Sequence, residues 1–167
     1  MQAPLIAVVM GVSGAGKSTL GQALAQRLGW DFADGDDFHP EANVQKMARG
    51  EALTDADRWP WLQRLRGFID LRLVDQDPVV LACSALKRSY RHRLGCERPA
   101  VQLIYLHGAY EPLLRRMQAR QGHFMPPSQL RDQLDTLEVP TALEAHWLLI
   151  DRPVQEQVDA LLPLFTA

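Results

Sequence analysis

Residues 11–18, "GVSGAGKS", have the G-x-x-x-x-G-K-[ST] spacing of a phosphate-binding loop. Glycines at these positions let the backbone curl so that successive N–H groups face phosphate oxygens. Lys17 is expected to reach the β- and γ-phosphates of a nucleoside triphosphate, and the Ser18 hydroxyl is expected to bind Mg²⁺. The residues predicted to bind nucleotide in this segment are Gly11, Ser13, Gly14, Ala15, Gly16, Lys17, Ser18 and Thr19.

A second polar segment, residues 34–40, reads "DGDDFHP". Taken alone it is typical of a turn, because Asp-Gly pairs form turns readily and Pro40 suits the start of a helix. Beside a phosphate loop its carboxylates could instead serve phosphoryl transfer. Asp36 is then predicted to bind the acceptor and take its hydroxyl proton as a general base, with Asp34 supporting the metal through water. Asp37 is expected to be a solvated acid near the helix start.

The elements that must position these residues follow from the hydrophobic pattern. Short apolar runs bounded by glycine, proline or polar residues predict buried strands at residues 5–10, 78–83, 101–107 and 146–151, with a weaker fifth at 30–34. Helical spacing predicts helices at residues 19–28, around 62–73, and at 87–94, 111–120, 128–137 and 153–164. The pattern predicts an α/β fold: a parallel five-stranded sheet flanked by helices, in one domain spanning 1–167.

Ligands of such a sheet gather outside the carboxyl ends of its strands. We expect the strand that ends at Asp34 to neighbour the first strand, which would place its carboxylates beside the phosphate loop. By the same rule Pro153, which follows the last strand, is expected to lie near the adenine.

Residues 120–129, "RQGHFMPPSQ", separate two helical segments with a glycine and a Pro-Pro pair. They are predicted to form either a mobile lid or an ordinary surface loop. Arg116 and Arg120 lie four residues apart on the helix that enters this segment. They are expected to reach the transferring phosphoryl group, and the alternative is an exposed pair bonded to nearby acids. His123 would contact substrate or order the lid.

Composition limits the classes of function. The chain has 167 residues, 47% of them hydrophobic, and a formal net charge of -2, which disfavours a nucleic-acid-binding protein. Two cysteines are too few for a disulfide framework, and no apolar run reaches the roughly 20 residues of a membrane span. A cytoplasmic location without membrane or nucleic-acid partners is therefore expected. The N-K-x-D motif of small GTPases does not occur, which favours a small-molecule kinase.

Longer segments resemble the gluconokinase family, a group of small phosphate-loop kinases. They are "MGVSGAGKSTL", "DGDDFHPEANVQKMARGEALTDADRWPWL", "CSALKRSYRHRL", "IYLHG" and "RRMQARQGHFMPPSQLRDQLDTLEVP". Ala15 stands where a serine is frequent and Ala52 where a proline is usual, and neither change removes a catalytic group. The resemblance implies phosphorylation of D-gluconate to 6-phosphogluconate with ATP and Mg²⁺, a fold similar to nucleoside monophosphate kinases and shikimate kinase, and a homodimer.

A sugar acid needs hydrogen-bonding groups for its hydroxyls and an arginine for its carboxylate. His39 and Arg58 are candidates. The alternatives are a solvated residue at a helix start for His39 and a salt bridge to Asp55 or Asp57 for Arg58.

The segment after the third predicted strand contains further candidates. Lys87 and Arg91 lie four residues apart and so on one helical face, where they would bind an anion or form a solvated basic surface. The resemblance implies that Ser84, Lys87 and Arg91 are functional. Trp59, Trp61 and Phe68 are expected to pack in the core or at a hinge.

Two other functions stay open at this point. Another small-molecule kinase, such as shikimate kinase, could use the same kinds of groups. A nucleotide-binding regulator without catalysis is disfavoured because Lys17, Ser18, Asp36 and Arg120 occur together.

Overall fold

A parallel sheet of five strands with helices on both faces forms the centre of the protein. The computed structural model describes residues 3–119 and 127–166. The strands are β1 (Ile6–Met10), β2 (Asp31–Asp34), β3 (Val79–Ala82), β4 (Val101–His107) and β5 (His146–Leu149). Each of these strands lies within two residues of a predicted one, so the predicted α/β architecture is confirmed.

The helices lie between and after the strands. They are α1 (Lys17–Leu28), α2 (Glu41–Ala48), α3 (Asp55–Val74), α4 (Arg88–Leu94), α5 (Tyr110–Ala119), α6 (Pro127–Thr136) and α7 (Val154–Phe165), with a short 3₁₀ helix at Gly35–Phe38. Helix α2 begins directly after Pro40, as predicted. None of the helices in the described part of the chain is long and apolar enough to cross a membrane.

The strand order is β2-β3-β1-β4-β5, and all four strand pairs are parallel. The expectation that β2 neighbours β1 is therefore wrong, since β3 lies between them. Leu81 of β3 is in register with Val8 on one side and with Ala33 on the other. The burial of the strands explains why β3, and not β2, lies next to β1. Strand β3 is buried along its whole length, whereas β2 begins with an exposed aspartate, which suits the edge of a sheet.

Two hydrophobic cores cover the two faces of the sheet. Along β1, Ala7 and Val9 point into one core and Ile6, Val8 and Met10 into the other, because side chains alternate along a strand. The first core includes Leu20 and Leu24 of α1 and Val158 and Leu161 of α7. The second includes Leu62, Leu65 and Ile69 of α3, the helix predicted around residues 62–73. Packing on both faces thus fixes the carboxyl ends of β1 and β3, where the candidate site residues follow.

Candidate active site

A cleft of about 1330 Å³ opens at the carboxyl edge of the sheet. The phosphate loop, the turn after β2, the loop after β3 and parts of α5 and α6 line it, as the predicted architecture requires. The predicted site residues that line this cleft are Ser13, Gly14, Ala15, Gly16, Lys17, Ser18, Thr19, Asp34, Asp36, His39, Arg58, Ser84 and Arg116. Among the described residues, Gly11, Lys87, Arg91 and Pro153 do not line it.

The phosphate loop closes tightly between β1 and α1. Gly14 has a φ of +85°, and a Cβ placed there would lie 2.7 Å from the carbonyl oxygen of Leu113 in α5. Only glycine combines that backbone conformation with so close an approach. The Lys17 Nζ donates a hydrogen bond to the carbonyl of Val12 at 3.1 Å, so the lysine folds back over the loop. Helix α1 begins at Lys17, which directs its N-terminal N–H groups toward the cleft.

Ser18, Asp34 and Asp36 form a connected set although they belong to different elements. The Ser18 hydroxyl donates a hydrogen bond to Asp34 Oδ2 at 3.2 Å. The other carboxylate oxygen, Oδ1, accepts the backbone N–H of Asp36 at 3.0 Å, which caps the 3₁₀ helix. Asp34 thereby joins the start of α1 to the turn that carries Asp36, and Asp36 itself is exposed in the cleft.

The turn after β2 is held against the sheet by its glycine. A Cβ at Gly35 would lie 2.8 Å from the carbonyl oxygen of Ala82, at the end of β3. The Trp61 indole N–H donates to the carbonyl of Gly35 at 2.8 Å. Trp61 is buried, as expected for a packing residue, and it also lines the cleft. The turn therefore has little freedom to move Asp36 away from the phosphate loop.

His39 lies in the wall of the cleft, stacked on Trp61 with ring centroids 4.4 Å apart and planes 12° apart. Its Nδ1 is 3.2 Å from the side-chain nitrogen of Asn43. Burial, together with the positive charge of Arg58, lowers the pKa of His39 from 6.5 to about 4. The ring is therefore neutral at pH 7, and the simple interpretation of a fully solvated histidine does not describe it.

Arg58 reaches the cleft from α3. Its guanidinium donates to the Tyr90 hydroxyl at 3.0 Å and lies 4.0 Å from the Asp55 carboxylate, so the ion pair considered from sequence is present. The Tyr90 hydroxyl donates to the same carboxylate. Arg58 thus both lines the cleft and takes part in a fixed polar cluster.

Lys87 completes that cluster and precedes α4. Its Nζ lies 3.2 Å from Asp55 Oδ1, and its extended backbone caps the helix. The expectation that Lys87 and Arg91 share one helical face is wrong, because Lys87 lies outside the helix. The hydrogen bond from Tyr90, followed by that from Lys87, lowers the pKa of Asp55.

Arg91 is 3% exposed and packs beneath the site. Its guanidinium donates to the carbonyls of Ala85 at 2.9 Å, Leu86 at 3.2 Å and Glu138 at 2.9 Å. Ala85 has a φ of +47°, an uncommon conformation for a residue with a Cβ. The solvated basic surface considered from sequence therefore does not describe Arg91, which supports the loop that carries Ser84. Its predicted contact with substrate stays a prediction.

The remaining predicted residues are Arg116, Arg120, His123 and Pro153. Arg116 of α5 donates to the carbonyl of Ala15 at 3.2 Å, which places it against the phosphate loop. Arg120 and His123 lie outside the described residues, and so does most of the predicted lid. Residues 127–129 belong to α6. Pro153 caps α7, while the next residue, Val154, lines the cleft.

Gln133 is a residue of the site that no sequence pattern predicted. The Ser13 backbone N–H donates to its Oε1 at 2.7 Å, and its Nε2 donates to the Ser13 hydroxyl at 3.0 Å. These bonds join α6 to the phosphate loop across 120 positions of sequence. No local motif marks the residue, and its only signal is its position on the helix after the predicted lid.

The oxygen atoms of Ser18 and Asp34 could hold a divalent cation together with nucleotide phosphates. Within residues 3–119 and 127–166, no group of three or more histidine, cysteine, aspartate or glutamate side chains forms a complete metal cage. Mg²⁺ does not require one, because it usually keeps several waters and takes one or two protein oxygens beside phosphates. The donor set therefore fits Mg²⁺.

Cys83 also lines the cleft, but it is a poor nucleophile. Complete burial raises the pKa of its thiol to about 12, so the reactive thiolate is scarce at neutral pH.

Known proteins with similar sequences and structures include phosphate-loop kinases. A family model described as an AAA domain matches residues 6–140. A gluconokinase of Gluconobacter oxydans (strain 621H) is 49% identical over 137 residues, which cover 82% of this chain and 77% of that protein. The crystal structure of a gluconokinase from Sinorhizobium meliloti 1021 has a TM-score of 0.84 and 44% identity, covering 99% of this chain and 93% of that chain.

Shikimate kinase from Acinetobacter baumannii is more distant. It has a TM-score of 0.57 and 22% identity, covering 98% of this chain and 93% of that chain. That likeness shows a common fold alone, whereas the gluconokinases match in sequence over most of their length. The chain therefore belongs to the gluconokinase family of phosphate-loop kinases.

Proposed function

We propose that the protein transfers the γ-phosphoryl group of ATP to the 6-hydroxyl of D-gluconate, giving 6-phosphogluconate and ADP. The observation that carries this proposal is that the Asp34 carboxylate accepts hydrogen bonds both from Ser18 of the phosphate loop and from the backbone N–H of Asp36. These bonds hold the turn with Asp36 beside the phosphate loop. Membership of the gluconokinase family supplies the substrate class.

The phosphate loop and the start of α1 would bind the β- and γ-phosphates through backbone N–H groups, with Lys17 neutralising their charge. Lys17 already lies over the loop, bonded to the carbonyl of Val12. Ser18 and Asp34 would hold Mg²⁺, Asp34 acting through water. When bound, the cation supplies charge neutralisation at the phosphate oxygens.

Asp36 would accept the proton of the gluconate hydroxyl as that oxygen bonds to the γ-phosphorus and the bond to the β–γ bridging oxygen breaks. A carboxylate is basic enough for this step, because the transition state of phosphoryl transfer is loose and the proton leaves late. The hydrogen bond from Asp36 N–H to Asp34 orients the turn before substrate arrives. Arg116, and Arg120 from the lid, would stabilise the charge on the transferring group.

Substrate recognition is proposed to use His39, Arg58 and Ser84, all of which line the cleft. An arginine suits the carboxylate end of a sugar acid, and neutral groups suit its hydroxyls. Lys87, Arg91 and His123 stay predicted contributors. For Lys87, the bond to Asp55 would have to rearrange before it reached substrate.

The test is coupled ADP release with gluconate, shikimate, other sugar acids and nucleoside monophosphates, together with identification of the phosphorylated product. We expect turnover with gluconate and one ADP for each phosphogluconate formed. Turnover on shikimate or a nucleotide but not gluconate would overturn the assignment. ATP binding without stoichiometric consumption would instead favour a regulator.

We also infer a homodimer, a cytoplasmic location and no nucleic-acid partner from the family resemblance and composition. Sedimentation velocity at several protein concentrations would measure the oligomeric state. A species of 18.8 kDa at every concentration would contradict the dimer.

A further inference from the structure

Asn43 is a buried polar residue that lies behind His39 in the wall of the cleft. It belongs to α2 and is 4% exposed. Its side-chain nitrogen is 2.9 Å from the backbone carbonyl oxygen of Asp57 in α3 and 3.2 Å from His39 Nδ1. It therefore connects three elements: the turn after the 3₁₀ helix, α2 and α3.

The chemistry of these partners determines which atoms carry hydrogens. A backbone carbonyl oxygen can only accept, so the amide nitrogen of Asn43, rather than its oxygen, must face Asp57. The same nitrogen then presents its second hydrogen to His39, and Nδ1 must accept it. A neutral imidazole with an accepting Nδ1 has its proton on Nε2.

The surroundings of the ring favour the neutral form. Trp61 stacks on it, and the positively charged Arg58 lies close enough to disfavour an imidazolium. Both effects, burial first, lower the pKa of His39 to about 4. Nε2 has no hydrogen-bond partner within residues 3–119 and 127–166, and His39 lines the cleft, so its N–H is available there to a ligand.

We propose that Asn43 is a positioning residue that holds His39 as a neutral Nε2–H donor, and that this donor binds a hydroxyl oxygen of the sugar-acid substrate. The substrate part rests on the proposed function. A neutral donor suits a hydroxyl, because it adds no second positive charge to compete with Arg58 for the carboxylate. Asn43 would thus help to separate recognition of the hydroxyls from recognition of the acid end.

The protonation of the ring can be measured without any substrate. Long-range ¹H–¹⁵N correlation spectra of the whole chain at pH 7 distinguish Nε2–H, Nδ1–H and imidazolium rings. The His39 signals are those that disappear in His39→Gln. We expect the Nε2–H form in the wild-type chain. An Nδ1–H ring or an imidazolium at this pH would overturn the proposal.

Kinetics then test the use of that donor. Glutamine can place its amide N–H near the position of Nε2, whereas asparagine is too short. We therefore expect His39→Gln to keep the KM for gluconate within about threefold and His39→Asn to raise it by roughly three- to tenfold, the loss of one neutral hydrogen bond. Asn43→Ala should also raise that KM, leave the KM for ATP within about twofold and broaden the His39 ring signals as the tautomers mix.

Equal KM values for gluconate in His39→Gln, His39→Asn and wild type would overturn the substrate part of the proposal. If Asn43→Ala does not fold, the wild-type spectrum and the two His39 variants still decide the matter. If the wild-type chain has no gluconate activity, the proposed function fails, whereas the ring signals still report the role of Asn43. The two failures are therefore distinguishable.

Discussion

The Ser18 hydroxyl donates a hydrogen bond to Asp34 Oδ2 at 3.2 Å, and the same carboxylate accepts the Asp36 N–H through Oδ1 at 3.0 Å. One side chain at the end of β2 thus connects the nucleotide loop to the proposed acceptor site. The proposed metal site and the proposed acceptor site therefore share a single carboxylate.

Asp34→Asn should raise the Mg²⁺ concentration needed for half-maximal activity by roughly 10- to 100-fold, as expected when a group that orients a metal ligand is changed. Titration of the initial rate with Mg²⁺ at saturating ATP measures it. Asp37→Asn is the matched control, since Asp37 is exposed in the same turn and does not line the cleft. An equal Mg²⁺ requirement in both variants would mean that Asp34 does not serve the metal.

Asp36→Asn should lower kcat by about 10² to 10⁴ while leaving ATP binding nearly unchanged, because it removes the proposed general base and no phosphate contact. Pre-steady-state rates and calorimetric binding of a nonhydrolysable ATP analogue separate the two effects. Little loss of kcat would show that positioning alone drives transfer. Asp37→Asn again controls for a change of charge in the turn.

Arg58→Ala should raise the KM for gluconate by roughly 10- to 100-fold, the loss of a charged hydrogen bond, with a smaller effect on ATP. Arg64→Ala is a matched control on the exposed face of α3. Tyr90→Phe removes the hydroxyl between Arg58 and Asp55 and should weaken gluconate binding less. If Arg58→Ala affects both substrates equally, the residue is a structural ion-pair partner instead.

Gln133→Ala should raise the KM for ATP by roughly three- to tenfold, because the phosphate loop loses two hydrogen bonds at Ser13. Asp135→Ala introduces the same residue at an exposed position of the same helix and should leave that KM unchanged. Initial rates at varied ATP and fixed gluconate decide between them. Identical KM values for the two variants would show that α6 does not support the nucleotide loop.

Arg91→Met should lower the free energy of unfolding by roughly 3 to 5 kcal/mol. It removes the cation that lies 3.6 Å from the Glu144 carboxylate, and it leaves the carbonyls of Ala85 and Glu138 without their guanidinium donor. Urea unfolding measures the loss, with Arg88→Met as the exposed control on α4. A gluconate KM close to that of wild type in the folded fraction would show that Arg91 acts only on the structure and does not bind substrate. A large rise in KM without loss of stability would assign Arg91 to the substrate.

Local patterns predicted much of this protein. The glycine and lysine spacing of residues 11–18 marked the phosphate loop, and the run of apolar residues before it marked β1. Pro40 marked the start of α2, and alternating strands and helices marked the α/β fold. These features depend on backbone conformation and short-range packing, which a sequence of a few residues determines.

Tertiary structure decided the contacts between distant segments. It placed β3 between β1 and β2, yet brought Asp34 to Ser18, because the start of α1 reaches past β3 to the end of β2. It also joined Gln133 to Ser13 and buried Arg91 beneath the loop of Ser84. Such contacts depend on strand order and on which side chains packing encloses, and no spacing within a short segment specifies either.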